Sequence, residues 1–169
     1  QLAAQDEELR QQYADLARNQ EDLMEREVRY RTILKTAMDG FALVDMDGKF
    51  RDVNDAFCSM LGYTREEMLN RSLMDIEARE TPEYITEHMN RVIRQGSDRF
   101  ETQYRSRNGH LIDVEVSVVH AGLAHAPLVT FHRDITDRIR AEKAHEQAKK
   151  KLNLLNLVTF SDIRNAAFS

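Results

Sequence analysis

Any chemistry in this chain has to be sought among its six histidines, its single cysteine and its 29 carboxylates. His120, His125 and His132 fall in one stretch and could approach across a hairpin as a metal cluster. No cysteine joins them, however, and their spacing matches no zinc-ligand pattern, so no metal is expected. His88 sits three residues after Ile85 in an apolar helical pattern, where a histidine borders a cavity or finds a hydrogen-bond partner. Cys58 is alone, which excludes an internal disulfide and a multi-thiolate site, and its apolar helical setting predicts a buried, inert thiol. The six glycines, at 40, 48, 62, 96, 109 and 122, never gather into a phosphate-cradling loop. A nucleophile elbow and an HExxH helix are missing as well. By this inventory the chain alone is not expected to be an enzyme.

The sequence is more explicit about the framework. Leu2, Leu9, Leu16 and Leu23 recur every seven residues with no Gly or Pro between them, which predicts a helical arm with one apolar line. The companion positions Asp6, Tyr13, Gln20 and Glu27 are mostly polar, so a coiled coil there would be weak by itself. From Phe41 the texture changes: Phe41-Ala42-Leu43-Val44, the turn Met46-Asp47-Gly48, then Phe50 and Val53 predict a β-hairpin. Ala56, Phe57, Met60 and Leu61 predict one short helix, and Met68 and Leu69 another after the Gly62 break. Pro82 fits a first helical turn, and Ile85, Met89, Val92 and Ile93 place a stripe on a longer helix ending at Gly96.

Alternation then takes over. Phe100, Thr102 and Tyr104 alternate with Glu101, Gln103 and Arg105, and after Asn108-Gly109 the residues Ile112, Val114, Val116 and Val118 alternate with polar ones. A last strand spans about 128–133, and Asp134-Ile135-Thr136 leads into a charged helix. The order is two strands, three helices and three strands between flanking helices. This is an α+β plan with a five-stranded antiparallel sheet and helices on one face. The expected parts are an N-terminal signalling helix (1–29), a central domain (30–136) and an output helix (137–169).

The net charge of −5 lacks the concentrated basic face that nucleic acid requires. No stretch approaches the roughly 20 apolar residues of a membrane span, and the acidic, glutamine-rich start is unlike a signal peptide. A cytoplasmic chain without direct membrane insertion is the expectation.

Five segments in register give the central domain a family resemblance. Asp45-Met46-Asp47-Gly48-Lys49, Val53-Asn54-Asp55-Ala56-Phe57, Gly62-Tyr63-Thr64-Arg65-Glu66-Glu67, Arg107-Asn108-Gly109-His110 and Asp134-Ile135-Thr136 resemble, in order, motifs of the PAS family. The match runs over roughly 30–136. It implies the PAS fold, a sensing cavity between sheet and helices, and signal relay through Asp134, Ile135 and Thr136. Candidate cavity residues, taken from the apolar faces, are Leu43, Phe57, Met60, Leu73, Ile85, Met89, Val92, Tyr104, Val116 and Phe131, with His88 at the border. No convergent polar group is evident among them. Leu73 stands where flavin photosensors of this family carry their reactive cysteine, and Thr81 where its haem proteins carry the ligating histidine. Neither flavin nor haem is therefore expected, and an unidentified small molecule is the remaining ligand class.

A second resemblance starts at Lys151. The segment from Lys151 to Asn165 is similar to the opening of the dimerisation and phosphotransfer helix of sensor histidine kinases, particularly a type found in methanogenic archaea. Ser161 stands at the phosphoacceptor position, with Asp162 and Asn165 keeping the neighbouring acidic and amide residues. A serine hydroxyl is a weaker nucleophile than an imidazole nitrogen without an activating base. The Leu2 to Leu23 line and the Ala141, Ala148, Leu152 and Leu155 positions each need a partner to bury them, which predicts a homodimer, and the resemblance implies a response regulator or other signalling domains of the parent protein as partners. A ligand-free dimerisation scaffold, or a phosphatase-type remnant in which Asp162 and Asn165 position water, are the alternative functions.

Overall fold

The computed structural model describes the backbone of residues 2–167 and the side chains of residues 4–160. Its order is α1 (Leu2–Thr36), β1 (Gly40–Val44), β2 (Phe50–Val53), α2 (Asp55–Leu61), α3 (Arg65–Leu69), α4 (Leu73–Ile76), α5 (Pro82–Gln95), β3 (Ser97–Arg105), β4 (Leu111–His120), β5 (Leu128–Asp134) and α6 (Thr136–Ala167). The strands form one antiparallel sheet in the order β2-β1-β5-β4-β3. The expected α+β architecture is therefore present, with one helix more than expected. That helix, α4, is a single turn, too short to develop an apolar period, and is held by reciprocal bonds between Ser72 and Asp75. The N-terminal helix also runs on past residue 29 to Thr36.

The local chemistry explains each element. Asp45 organises the first hairpin: its carboxylate accepts from the Asp47 and Lys49 amides, both at 2.9 Å, and from Arg51 Nε at 2.7 Å. Asn54 caps α2 by accepting from the Phe57 amide. Thr64 and Glu67 close a capping box on α3. Thr81 caps α5, with Pro82 in its first turn. Gly109 takes φ +80° in the β3–β4 hairpin, where its amide donates to Ser106 O, a conformation that a side chain resists. At Gly40 the constraint is space, since a Cβ there would lie 2.8 Å from Phe57 Cδ2.

The core lies between the helices and one face of the sheet. Ala42, Val44, Phe50, Val114, Val116 and Leu128 from the strands meet Phe57, Leu61, Met68, Ile76, Met89 and Val92 from the helices. Outside it, Leu9, Leu16 and Leu23 on α1 and Leu152, Leu155 and Phe160 on α6 are exposed. Among the described residues, no helix is long and apolar enough to cross a membrane.

Candidate functional site

A cavity of about 150 Å³ lies between α5 and the inner face of β3, β4 and β5. Of the sequence candidates, Leu73, Ile85, His88, Met89, Val92, Tyr104 and Val116 line it. Four others fall elsewhere. β1 buries Ala42 and Val44 on the inner face, so strand alternation turns Leu43 to the outer one. β5 buries Leu128, Thr130 and His132, which puts Phe131 outside, 42% exposed and against Phe41 at 5.5 Å between ring centroids. Phe57 is core, packed behind the cavity wall against His132 and Tyr104. Met60 borders a separate surface cleft near Asp134 and Thr136.

Contrary to the apolar expectation, polar groups do converge. The Thr130 hydroxyl donates to Ala42 O at 3.0 Å, His132 Nε2 lies 2.8 Å from Thr130 Oγ1, and Tyr104 Oη lies 3.0 Å from His132 Nδ1. A carbonyl can only accept, so Thr130 spends its proton on Ala42 and must accept from His132. His132 therefore carries its proton on Nε2, and Tyr104 donates to the bare Nδ1. This chain joins β3, β5 and β1 through fully buried groups. Burial pushes the His132 imidazole down to about 3, so it stays neutral, and burial likewise raises the Tyr104 phenol. Stacking of His132 on Phe57, with centroids 4.2 Å apart and planes 15° apart, completes its enclosure.

At the mouth, His88 Nε2 lies 2.7 Å from Asp98 Oδ2, and that bond holds the Asp98 carboxyl below its ordinary value. Thr102 donates to Glu77 Oε1 at 2.7 Å, an oxygen that also accepts from the Ala78 and Arg79 amides. His120 and His125 do not join His132: His132 is on the inner face, while His120 ends β4 and His125 lies in the exposed connection. Cys58 is buried on α2, and that burial raises its thiol, leaving it protonated and unreactive.

Both helical arms are tied to this framework. Asp134, Ile135 and Thr136 form the exit: the Ile135 amide donates to Asp113 O at 2.9 Å, Thr136 Oγ1 accepts from the Asp113 amide at 3.1 Å, and the Thr136 amide donates to Asp134 Oδ1 at 2.8 Å. At the entrance, Asn54 Oδ1 accepts from the Phe41 and Phe57 amides, while its Nδ2 donates to Leu34 O and Asp39 O. Arg133 on β5 pairs with Asp39 at 2.8 Å, so one strand touches the junctions of both arms. Sequence reading gave no functional role to Asn54 or Thr130 and weighed His132 only within a possible histidine metal cluster; Asn54 carried a signal as the polar residue heading a helix. The side chains of Ser161, Asp162 and Asn165 lie outside the described residues.

The model of the family described as the PAS domain matches residues 38–137. The chain is 32% identical over 136 residues to a methyl sulfide methyltransferase-associated sensor of Methanosarcina acetivorans, covering 79% of this chain and 14% of that protein. It is 25% identical over 142 residues to a probable diguanylate cyclase of Escherichia coli, covering 79% of this chain and 13% of the other. The chain thus spans only a small part of the length of the curated relatives it matches. Among solved structures, the PAS domain of an HTR-like protein from Haloarcula marismortui superposes with a TM-score of 0.63 at 27% identity, over 70% of this chain and 98% of that one. A domain of a sensory box sensor histidine kinase/response regulator from Geobacter sulfurreducens gives 0.55 at 28% identity, over 66% and 96%.

Proposed function

The chain belongs to the PAS domain family, and from that premise we propose that it is the sensory relay of a two-component or related signalling protein, converting cavity occupancy into a shift of α6. The observation that carries this reading is the buried chain Tyr104–His132–Thr130–Ala42. It starts on the cavity wall, passes through β5 two residues before the exit segment Asp134-Ile135-Thr136, and ends on β1. A molecule pressing on Tyr104 or Val116 acts on the strand that continues into the output helix. Because packed interiors move between discrete arrangements, a small displacement there is a bias on α6, not a diffuse relaxation.

The relay is tested by shortening one cavity residue. Val116 lies opposite His132 in the β4–β5 ladder. Val116→Ala should move the backbone amide resonances of His132, Ile135 and Ile139, whereas Val129→Ala, on the outer face of β5, should move them much less. Equal displacements from both substitutions would overturn the relay and favour a packed scaffold that binds nothing.

Catalysis is assigned to other parts of the parent protein, in keeping with Ser161 at the phosphoacceptor-like position, and a response regulator or another signalling domain is the downstream partner. The chain itself is read as a homodimer, because Leu9, Leu16, Leu23, Leu152 and Leu155 are each about half exposed or more and a second copy would bury them. Native mass spectrometry of freshly purified protein should show twice the chain mass, with no haem or flavin and at most one small organic molecule per chain. A monomer with both helices intact would overturn the dimer.

A further inference from the structure

Resting on the reading of this cavity as the sensing site, we propose that it selects a compact, uncharged molecule of one-ring size that brings its own hydrogen-bond donor, such as a phenolic or alcoholic hydroxyl. The reason is proton accounting on the wall. Tyr84 on α5 stands at the half-exposed rim, and three hydroxyl-bearing side chains of the sheet border the cavity: Thr102, Tyr104 and Thr130. Each has one proton, and each has already given it away: Thr102 to the Glu77 carboxylate, Thr130 to the Ala42 carbonyl, Tyr104 to the bare Nδ1 of His132. What they present to a ligand is lone pairs alone. His88, which also borders the apolar wall, directs Nε2 to the Asp98 carboxylate. A ligand whose polar atom can only accept meets acceptors, and both sides stay unpaired at a cost of desolvation.

Size and charge narrow the class. About 150 Å³ is below the usual range for a ligand pocket and comparable to cavities that accept benzene. The wall is otherwise Ile85, Met89, Val92 and Val116, against which an ion would be desolvated without compensation. Anions are further disfavoured at the mouth, where Glu77, Glu80, Asp98 and Glu101 outnumber Arg91.

Phenol and fluorobenzene share a ring and nearly a volume and differ in the donor, so they are the probes, titrated into the full chain and followed by methyl resonances of Val116 and Val118. Phenol should bind at least as tightly as fluorobenzene although water holds it more strongly. In Tyr104→Phe the phenol-to-fluorobenzene affinity ratio should fall about five- to tenfold, the worth of one neutral hydrogen bond. Saturable binding of both with fluorobenzene the tighter, or a ratio that Tyr104→Phe leaves unmoved, overturns donor selection while leaving a ligand-binding cavity in place. If Tyr104→Phe does not fold, the wild-type order of affinities decides alone. Binding of neither probe removes the sensing cavity itself, and this inference with it.

Discussion

Acidification from pH 7.5 to 5 is expected to cost the folded domain about 2 kcal/mol through His132 alone. His132 is wholly buried between Phe57 and Tyr104, and that burial lowers it from 6.5 to about 3. The unfolded chain therefore takes up the proton near pH 6.5 while the folded one refuses it. The native state keeps its full stability above that value. As pH falls through 6.5, stability drops with a slope approaching about 1.4 kcal/mol per pH unit, until the folded form also protonates near pH 3. Hydrogen-bonded carboxylates, Asp45 and Asp98 among them, respond in the same direction but lower down. At Asp45, burial would raise the carboxyl, but the Lys49, Arg51 and Asp47 hydrogen bonds outweigh it; at Asp98 the His88 bond lowers it. Both lose their contribution only below the ordinary carboxylate range, which leaves the interval between pH 6.5 and 5 to histidine.

Urea unfolding at the two pH values measures the effect. His132→Asn should be less stable than wild type at pH 7.5 by about 1–3 kcal/mol, because Tyr104 and Thr130 lose a partner. It should also lack most of the loss on acidification. The same pH dependence in both proteins would mean that His132 is not the neutral, buried link between β3 and β5.

His132 also marks where sequence reading stopped. The alternation of Ile112, Val114, Val116 and Val118, the stripe of Ile85, Met89 and Val92 and the heptad leucines of α1 were all legible, because apolar residues there keep one phase of a regular period. In β5 the phase is carried by Leu128, Thr130 and His132, and the one large apolar side chain nearby, Phe131, is out of phase with it. Hydrophobicity alone therefore selected the wrong face, and with it the polar wall of the cavity was lost. Thr130 and His132 are tolerated inside because Thr130 finds a partner on the neighbouring β1 and His132 finds Tyr104 on β3, two strands away, which is tertiary information. The start of β3 was obscured for a similar reason: the alternation begins at Phe100, but Ser97, Asp98 and Arg99 extend the strand because Val119, Val118 and Ser117 opposite them complete the ladder. Asn54 caps α2, a local role, but its amide nitrogen also reaches Leu34 O on α1, a contact 20 residues distant in the chain.

Inserting one residue after Ala144 is expected to lock or abolish regulation of an attached output, and inserting seven to preserve most of it. Just past the end of β5, Ile135 and Thr136 are pinned to β4 by the Ile135–Asp113 and Asp113–Thr136 bonds. From Thr136 the helix continues to Ala167 without glycine or proline, so nothing in its sequence absorbs a rotation imposed at its first turn. The exposed Leu152, Leu155 and Phe160 are far down this helix and are the groups that a second copy would cover. In the proposed dimer a change at the exit strand would therefore reach them as rotation or sliding of the helix pair, and a bistable pair needs only a few kcal/mol of bias to change state. One inserted residue turns everything downstream by about 100°, moving the leucines off the seam, whereas seven leave a residual phase error of only about 20°. The test is a chimaera in which this chain drives a kinase output carrying the phosphoacceptor histidine, assayed for autophosphorylation with each insertion. Unchanged signal-dependent output from both insertions would rule out a rigid helical relay. It would leave α6 as a tether whose length and phase are irrelevant, and the buried chain through His132 as a device for stability alone.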